Sequence, residues 1–342
     1  MLATMLRRLL AAVILVAVAG ILLVVAWPQL FGLQQAALVA QAVSLRGLGI
    51  AVAVVAIVAL VLFMVIAPRA RRFAASFAAL LLVFGLVNAA VLASRGFGDL
   101  AFETKSDNSI TVLSWNTLGD APGAKSIAEL AVQSEADIVV LPETTRATGT
   151  AVADAMEAAG RPMQEFTIAF DVISKARSTS LLISTALGEY TVDTTEPNSL
   201  VLPTVIARPA DGTGPEILGV HLVAPIPGEL DHWRADLAWL AGACAGPNVV
   251  MAGDFNSTID HFTGLATADG ATMGRCADAA SASDNAAVGT WPTSLPALLS
   301  APIDHVMATA NWKVTGFRVV ENYDKYGSDH RPVIAQLSPA KG

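Results

Sequence analysis

The first 98 residues of this 342-residue chain contain no aspartate or glutamate. Seven of the 21 lysines and arginines lie there, whereas all 29 acidic residues lie from Asp99 onward, so the second part carries a net charge of −15. With 54% hydrophobic and 15% charged residues, the chain is too apolar to be wholly soluble or disordered. A region without acids and a region that holds all of them suit different solvents. We therefore predict a membrane region over residues 1–98 and a water-soluble domain over residues 99–342, long enough to bury a sizeable core.

Three stretches of the membrane region are apolar over the length that a hydrocarbon core requires, which is about 20 residues. They cover residues 9–27, 48–67 and 73–92. None contains Asp, Glu, Lys or His, so none offers these ionisable groups to a transporter or a proton relay. We predict three transmembrane helices that act as an anchor.

The arginines that flank these stretches predict the orientation. Arg46 and Arg95 lie on one side, against five on the other: Arg7, Arg8, Arg69, Arg71 and Arg72. Because positively charged flanks stay in the cytoplasm, the soluble domain is predicted to lie on the extracytoplasmic side of the cell membrane. The alternative for the first stretch is a cleaved signal peptide, which leaves two spans and returns the domain to the same side.

From residue 110 onward, short runs rich in Val, Ile and Leu alternate with longer segments of helical spacing, which predicts a mixed α/β domain. The expected strands cover residues 110–115, 138–141, 181–184, 217–220, 249–252, 303–308 and 333–337. The expected helices cover residues 124–134, 150–159 and 229–243. Residues 268–283 are small and polar without a period, and are expected to form a loop.

The domain contains two cysteines, Cys244 and Cys276. An even number of cysteines in a domain outside the cytoplasm is compatible with a disulfide. Sequence spacing does not fix the distance between their α-carbons, so a disulfide and two buried thiols remain alternatives.

Polar residues cluster at the ends of the expected strands. The motifs are Ser-Trp-Asn (114–116), Leu-Pro-Glu-Thr (141–144), Gly-Val-His-Leu (219–222), Gly-Asp-Phe-Asn-Ser (253–257), Pro-Ile-Asp-His-Val (302–306) and Gly-Ser-Asp-His-Arg-Pro (327–332). A sheet holds such ends rigid while the loops reach a substrate, so we expect a functional site there.

In this order the motifs resemble those of the endonuclease/exonuclease/phosphatase superfamily, which includes deoxyribonuclease I-like nucleases, abasic-site nucleases, neutral sphingomyelinases and inositol-polyphosphate phosphatases. The resemblance covers residues 110–337. It implies a two-sheet α/β sandwich of the deoxyribonuclease I type, here preceded by three transmembrane helices. It also implies hydrolysis of a phosphate ester by water without a covalent enzyme intermediate.

Taken singly, these residues have structural explanations. Asn116 and Asn256 can cap turns, and a lone buried histidine is more often structural than catalytic. Glu143 can be an exposed loop acid, and Asp254 can cap a helix. Their joint occurrence favours the functional interpretation.

Carboxylates and amides without clustered thiols or a His-x-x-x-His pair form a hard oxygen site, which suits Mg²⁺ or Mn²⁺ better than Zn²⁺. The resemblance implies that Asn116, Glu143 and Asp329 surround the metal. One strongly held ion is expected, because Leu118 stands where some nucleases of the family carry a second acid.

The same resemblance implies the catalytic roles. Asp254 would orient or deprotonate the attacking water, and Asn256 would hold a non-bridging phosphate oxygen. His330, steered by Asp304, would donate to the phosphoryl group as charge builds in an in-line displacement. His221 would also donate to the phosphoryl group.

Other polar residues near the motifs are predicted to lie outside the site. His305 should point to the opposite face of its strand from Asp304. His232 and His261 are expected at the solvated surface. Contact with substrate is the alternative for Asp260 and His261, which closely follow the Gly-Asp-Phe-Asn motif. Trp291 is expected to anchor its loop, with stacking on a substrate ring or contact with lipid as the alternative.

The soluble domain carries 14 basic residues against 29 acidic ones and has no run rich in Lys or Arg. Nucleic-acid binding depends on basic contacts with phosphates, so a nucleic-acid substrate is disfavoured. An anchored domain suits a substrate in or near the lipid bilayer, and the leading hypothesis is a lipid-linked or other extracytoplasmic phosphate ester. The alternatives are an outward-facing nuclease and a catalytically silent binding module of an envelope assembly.

Overall fold

Long apolar helices make up the first part of the chain in the computed structural model, which describes residues 2–98, 101–171 and 173–340. The helices are α1 (Leu2–Ala26), α2 (Val39–Ser44), α3 (Arg46–Ile66) and α4 (Arg71–Arg95). α1 and α3 end shortly before Pro28 and Pro68, since helical conformation is disfavoured before a proline. Within the described residues, Met5–Ala26, Arg46–Ile66 and Pro68–Arg95 are long and apolar enough to cross a membrane. The three predicted stretches coincide with these segments.

A buried polar pair links α3 and α4. Arg46 Nη1 donates to Asn88 Oδ1 at 2.6 Å and to the carbonyl oxygen of Ala26 at 3.0 Å. Hydrocarbon offers no partner to a polar side chain, so helices that pack in an apolar environment are held by such bonds. Arg46 therefore contributes to helix packing as well as flanking a predicted span.

The chain divides into two compact units, Met1–Ser94 and Arg95–Gly342. The predicted domain boundary falls at Asp99, which lies outside the described residues. The second unit contains two six-stranded sheets, with strand orders β11-β12-β1-β2-β4-β3 and β5-β6-β7-β8-β10-β9. The strands are β1 (Ile110–Ser114), β2 (Ile138–Pro142), β3 (Met163–Ala169), β4 (Ser178–Ser184), β5 (Tyr190–Val192), β6 (Val205–Pro209), β7 (Glu216–His221), β8 (Val249–Asp254), β9 (Cys276–Asp278), β10 (Asp304–Thr309), β11 (Trp312–Val319) and β12 (Val333–Pro339).

The main apolar core lies between the sheets and includes Val140 from β2 and Ala252 from β8. Two helices, α5 (Gly123–Gln133) and α6 (Arg146–Ala158), cover the outer face of the first sheet. Helix α7 (Leu230–Ala243) is bonded to the segment that follows β8, since the indole N–H of Trp233 donates to Ser257 Oγ at 2.9 Å. Every residue of β2 and β8 is buried, because a central strand is covered on both faces. This explains their continuous apolar sequences.

The predicted fold class, a two-sheet α/β sandwich preceded by three long apolar helices, is confirmed. The seven predicted strands and the three predicted helices of the second unit are present, with ends shifted by a few residues. Strands β3, β5, β6, β9 and β11 were not predicted. Four of these five are the edge strands of the two sheets. Edge strands are partly exposed, so they lack the continuous apolar run that marks the central strands.

The prediction of a loop over residues 268–283 is wrong at its carboxyl end. Cys276–Asp278 pairs with β10 as strand β9, and the short helix α8 (Ala279–Ala282) follows it. The Asp278 carboxylate caps this helix by accepting the backbone N–H of Ser281 at 2.7 Å. Cys276 forms a disulfide with Cys244 at the end of α7, with the α-carbons 6.1 Å apart, so the structure selects one of the two alternatives for the cysteines.

The predicted polar motifs lie at one edge of the sandwich, which we call the site edge. The parallel strands β1 and β2 end there, as do the parallel strands β7 and β8. Strand β10 runs antiparallel to β8 and begins there, with Asp304 opposite Asp254. Strand β12 also begins there, with Val333 opposite Ser114. The strand registers therefore bring polar residues from both sheets to a single edge.

Candidate active site

A histidine between two carboxylates forms the centre of the site. His330 Nδ1 lies 2.8 Å from Asp304 Oδ2, and His330 Nε2 lies 3.8 Å from Asp254 Oδ2. All three side chains are buried. Burial alone lowers the pKa of His330, but Asp304 and Asp254 outweigh this effect and hold that pKa well above its usual range. These charges favour the protonated form of His330, which can donate a proton through Nε2.

Asp254 ends β8 and is held by two amide donors. Its Oδ1 accepts the backbone N–H of Asn256 at 2.8 Å, and its Oδ2 accepts Asn116 Nδ2 at 3.0 Å. Burial raises the pKa of Asp254 to about 7, while His330 acts in the opposite direction. A carboxylate with a pKa near neutrality is suited to act as a general base.

The glycine before Asp254 is required by packing. Gly253 adopts a φ of +147°, and a Cβ at this position would overlap the carbonyl oxygen of Val220 on β7. The close approach of the parallel strands β7 and β8 thus explains why the Gly-Asp-Phe-Asn motif begins with glycine.

Asn116 connects the two sheets at the site edge. Its Nδ2 donates to Glu143 Oε1 at 3.1 Å and to Asp254 Oδ2 at 3.0 Å, while its Oδ1 accepts the backbone N–H of Leu118 at 3.0 Å. In this orientation the amide positions two carboxylates. A 180° rotation of the amide turns its oxygen toward them, which is the orientation that a metal ligand requires.

Glu143 and Asp329 carry the carboxylates of the predicted ion site. Burial raises the pKa of Glu143, the bond from Asn116 and the charge of His330 lower it, and Asp329 raises it again. Asp329 Oδ1 is buried and has no hydrogen-bond partner within the described part of the chain. Asp329 Oδ2 accepts the indole N–H of Trp291 at 2.9 Å. Two neighbouring carboxylates, one with an unpaired buried oxygen, are the donor set that a hard cation stabilises.

A second group of possible ligands consists of Asp254, Asp304 and His330, whose ligand atoms lie within 4.8 Å of one another. In this cluster His330 Nδ1 already lies 2.8 Å from Asp304 Oδ2. Both this cluster and the predicted set of Asn116, Glu143 and Asp329 offer ligand atoms to a cation.

His221 lies opposite Asp254 in the parallel register of β7 and β8. Burial, assisted by the charge of His330, lowers the pKa of His221 to about 3, so its ring is neutral at physiological pH. Its Nδ1 has no hydrogen-bond partner among the described residues. A buried neutral ring with an unpaired nitrogen is suited to a hydrogen bond with a bound substrate.

Two site residues adopt left-handed backbone conformations that non-glycine residues rarely occupy. The φ angles are +56° for Glu143 and +46° for Asn256. Asn256 Nδ2 donates to the carbonyl oxygen of Leu222 at 2.8 Å, which fixes this side chain beside Asp254. Such conformations cost free energy and persist where the surrounding structure holds them, as at binding sites.

Three positioning side chains were not among the predicted site residues. Ser328 Oγ donates to the carbonyl oxygen of Asn116 at 2.6 Å and accepts the backbone N–H of His330 at 3.0 Å. Trp115 Nε1 donates to the carbonyl oxygen of His330 at 2.9 Å. Trp291 contacts Asp329 as described above. For Ser328 and Trp115, the sequence feature that could have identified them is their position inside the motifs, next to the residues that they orient.

Three polar residues that follow or adjoin the motifs have other partners. Asp260 forms a two-bond ion pair with Arg95, at 2.8 and 2.9 Å. His261 Nδ1 accepts the backbone N–H of Thr258 at 2.9 Å. His305 lies on the opposite face of β10 from Asp304, as expected, and its Nδ1 lies 2.8 Å from an Asp278 oxygen.

Comparison with known proteins identifies the family. The sequence model of the Endonuclease/Exonuclease/phosphatase family matches residues 113–330, which is more than half of the chain and includes every site residue named above. The chain belongs to this family. Its members include nucleases and other phosphoesterases, and they are generally metal-dependent phosphoester hydrolases. No curated protein is significantly similar to the chain in sequence.

Solved structures share the fold of the family region. Danio rerio TDP2, complexed with a single strand DNA product, is 16% identical to the chain; the alignment covers 68% of this chain and 100% of that one, with a TM-score of 0.52. An endonuclease/exonuclease/phosphatase family protein from Bacteroides thetaiotaomicron is 15% identical over 69% of this chain and 96% of that one, with a TM-score of 0.50. At these identities the similarity shows the fold alone.

Proposed function

We propose that the chain is a Mg²⁺- or Mn²⁺-dependent phosphodiesterase or phosphatase that acts on a lipid-linked or other extracytoplasmic phosphate ester. The observation that carries this proposal is the convergence of Asp254, Asp304 and His330 beside the carboxylates of Glu143 and Asp329. The first three form a proton-transfer unit, and the last two form an oxygen site for a cation. Hydrolysis of a phosphate ester needs both.

Glu143 and Asp329, with the Asn116 amide rotated, would hold the ion, which supplies positive charge to a phosphoryl oxygen. Asp254 is held by the backbone N–H of Asn256, and it accepts a proton from the attacking water. His330, oriented by Asp304, donates from Nε2 as negative charge develops on the phosphoryl group or the leaving group.

Neutral His221 and the Asn256 amide stabilise a non-bridging oxygen. Because the reaction is a direct displacement by water, no side chain in this scheme becomes covalently bound to phosphorus.

The proposed substrate class is supported by two properties of the sequence and fold. The same chain contains three helices long enough and apolar enough to cross a membrane, which keeps the second unit near a lipid surface. Residues 99–342 carry a net charge of −15, which opposes binding to a nucleic-acid backbone. The outward orientation is supported by the arginine distribution around the apolar helices.

The first test is hydrolysis by the full-length protein in detergent, with Mg²⁺ or EDTA. We expect EDTA to abolish turnover and Mg²⁺ to restore it. Glu143→Gln and Asp329→Asn should each lower kcat/KM by at least about 100-fold, because each removes charge from the ion site. Glu157→Gln on the exposed side of α6 is the matched control and should retain full activity.

The second test uses a panel of phospholipids, polyprenyl phosphates, plasmid DNA and single-stranded DNA. Turnover of lipid phosphates supports the proposed substrate. Turnover of DNA alone, falling steeply with salt, would instead show a nuclease. No turnover of any ester by a folded, metal-loaded protein would favour the silent binding module. Protease treatment of intact cells tests the orientation, since an outward second unit is cleaved without lysis.

A further inference from the structure

The exposed large apolar side chains of the second unit concentrate on loops at the site edge. Six of them define what we call the apolar rim: Leu118, Phe170, Ile173, Leu200, Ile226 and Tyr326. Phe97, in the segment that enters the unit, is exposed as well and is not part of the rim. Ile173 is 89% exposed. Trp291 and Leu298, in the segment before Asp304, are exposed at the same edge. A concentration of exposed apolar side chains around a polar site marks a surface that meets another apolar phase or partner.

Strand register places the rim residues of the first sheet beside the proposed ion site. The backbone N–H of Leu118 donates to Asn116 Oδ1, so Leu118 lies next to a site residue. Phe170 and Ile173 follow β3, whose last residue pairs with the first residue of β4. The next residue of β4 pairs with the last residue of β2, which directly precedes Glu143. The loop after β3 therefore begins close to Glu143.

The rim residues near the second sheet also lie beside strand ends at the site edge. Leu200 precedes β6, which begins opposite Gly219, close to the end of β7 at His221. Ile226 lies in the loop that leaves His221. Tyr326 precedes the Ser-Asp-His motif. Rim side chains from separate loops thus surround the site edge.

The opposite edge of the sandwich differs. Its loops include residues 134–137, 159–162, 185–189, 210–215, 244–248 and 310–311. Among the described residues, none of these loops presents an exposed large apolar side chain. Both edges belong to the same unit and meet the same solvent, so general surface composition does not explain the asymmetry. The concentration of exposed apolar side chains is a specific property of the site edge.

The chain itself indicates what meets the rim. It enters the second unit at Arg95, whose guanidinium binds Asp260 in the turn that follows Asn256, a residue of the site edge. The backbone N–H of Gly98 donates to the carbonyl oxygen of Asp284 at 2.9 Å, so the entering segment is bonded to the unit. The residues before Arg95 form a helix long and apolar enough to cross a membrane. This helix therefore tethers the second unit to the bilayer that it would cross, and a bilayer is the apolar phase that the chain itself supplies.

We propose that the apolar rim inserts into the interfacial layer of the bilayer, so that the site edge faces the lipid surface and takes a lipid phosphate from it. The substrate half of this inference rests on the proposed function. The net charge of −15 over residues 99–342 opposes attraction to anionic headgroups, so insertion depends on apolar burial and is insensitive to salt.

The test uses the full chain in phosphatidylcholine nanodiscs with brominated acyl chains, which quench a nearby fluorophore. The two native cysteines are paired, so a single introduced cysteine can be labelled. Ile173→Cys and Ile226→Cys report on the rim, and Ala186→Cys on the opposite edge is the matched control. We expect the rim labels to be quenched at least about threefold more than the control label. This difference should persist from about 0.05 M to about 0.5 M NaCl.

Equal quenching at all three positions, or none at the rim, overturns the inference. If the rim labels are unquenched and Ile173→Cys instead forms crosslinks between two copies, the rim is a self-association surface.

A second measurement separates this inference from the proposed function. The double variant Ile173→Ser/Ile226→Ser should lower turnover of a bilayer-embedded phosphate ester at least about tenfold and leave turnover of a water-soluble ester unchanged. Rim quenching without turnover of any lipid phosphate retains the docking and rejects the lipid substrate. Lipid turnover without rim quenching retains the substrate and rejects the docking.

Discussion

Strand β10 carries two buried aspartate–histidine pairs, one on each face. On the inner face, Asp304 binds His330 Nδ1 at 2.8 Å. On the outer face, His305 Nδ1 lies at the same distance from Asp278 Oδ1. The two pairs share residue types, burial and bond length, and adjacent residues of one strand contribute to both.

The pairs differ at the second nitrogen of each ring. His305 Nε2 lies 2.9 Å from the carbonyl oxygen of Ser257, and the ring packs against Phe255 and Phe262. His330 Nε2 instead faces Asp254 at 3.8 Å, which is too long for a hydrogen bond. A ring with both nitrogens bonded holds the structure together. A ring with one nitrogen still able to donate can take part in chemistry.

The largest effect is expected from His330→Gln. Glutamine can hydrogen-bond but cannot carry the proton, so kcat should fall by about 10²- to 10⁴-fold. Initial rates with saturating Mg²⁺ measure this change. The same substitution at His305 should leave kcat of the folded protein within about twofold, because that ring does not face the site. Similar losses of kcat in both variants would remove the distinction between the two pairs.

The next effect is on stability. His305→Ala leaves the buried Asp278 carboxylate without its charged partner and should lower the free energy of unfolding by about 3–5 kcal/mol. Thermal unfolding of the full chain in detergent measures the change. His232→Ala is the control, because His232 pairs with Glu229 on the exposed surface of α7 and should leave the melting temperature unchanged. An unchanged melting temperature for His305→Ala would show that the outer pair is not structural.

The smallest effect is the pH dependence of the stability that the outer pair, Asp278 and His305, contributes. Burial alone raises the pKa of Asp278 and lowers that of His305, but their mutual attraction dominates, so the pKa of Asp278 is lowered and the pKa of His305 is raised. The Asp278 contribution to stability is therefore present above about pH 4 and is lost as the pH falls through its folded pKa. The His305 contribution is present below about pH 6.5 and is lost as the pH rises through its folded pKa.

The melting temperatures of the parent and of Asp278→Asn/His305→Gln should consequently differ most between about pH 4 and pH 6.5. The difference should narrow outside this window. A difference that is constant with pH would mean that the pair is not ionised in the folded state.

The inner pair could be predicted from sequence, whereas the outer pair could not. Asp304 and His330 lie in local motifs at strand ends, where the order of residues indicates the chemistry. The position of His305 on the opposite face followed from the two-residue period of a strand. Its partner Asp278 lies in a segment predicted as a loop, because a three-residue edge strand gives almost no periodic signal.

The same distinction applies to the rest of the molecule. All central strands except β6, and the long apolar helices, could be predicted because burial dictates their composition. The apolar rim could not, since exposure depends on which loops share an edge, and Ile173 or Ile226 would be equally compatible with a core. Trp291 was expected to anchor a loop; its bond to Asp329 depends on a contact between segments distant in sequence. The ligand roles of Asn116, Glu143 and Asp329 remain predictions.

Because Cys244 and Cys276 form a disulfide, their oxidation state in the cell indicates the compartment in which the second unit folded. Structural disulfides form and last in oxidising compartments, whereas cytoplasmic reductants keep thiols free. If protein from intact cells is denatured and alkylated, chains matured outside the cytoplasm should gain no adduct, and chains matured inside should gain one on each cysteine. A mass spectrum would then report the side of the membrane without any assay of turnover.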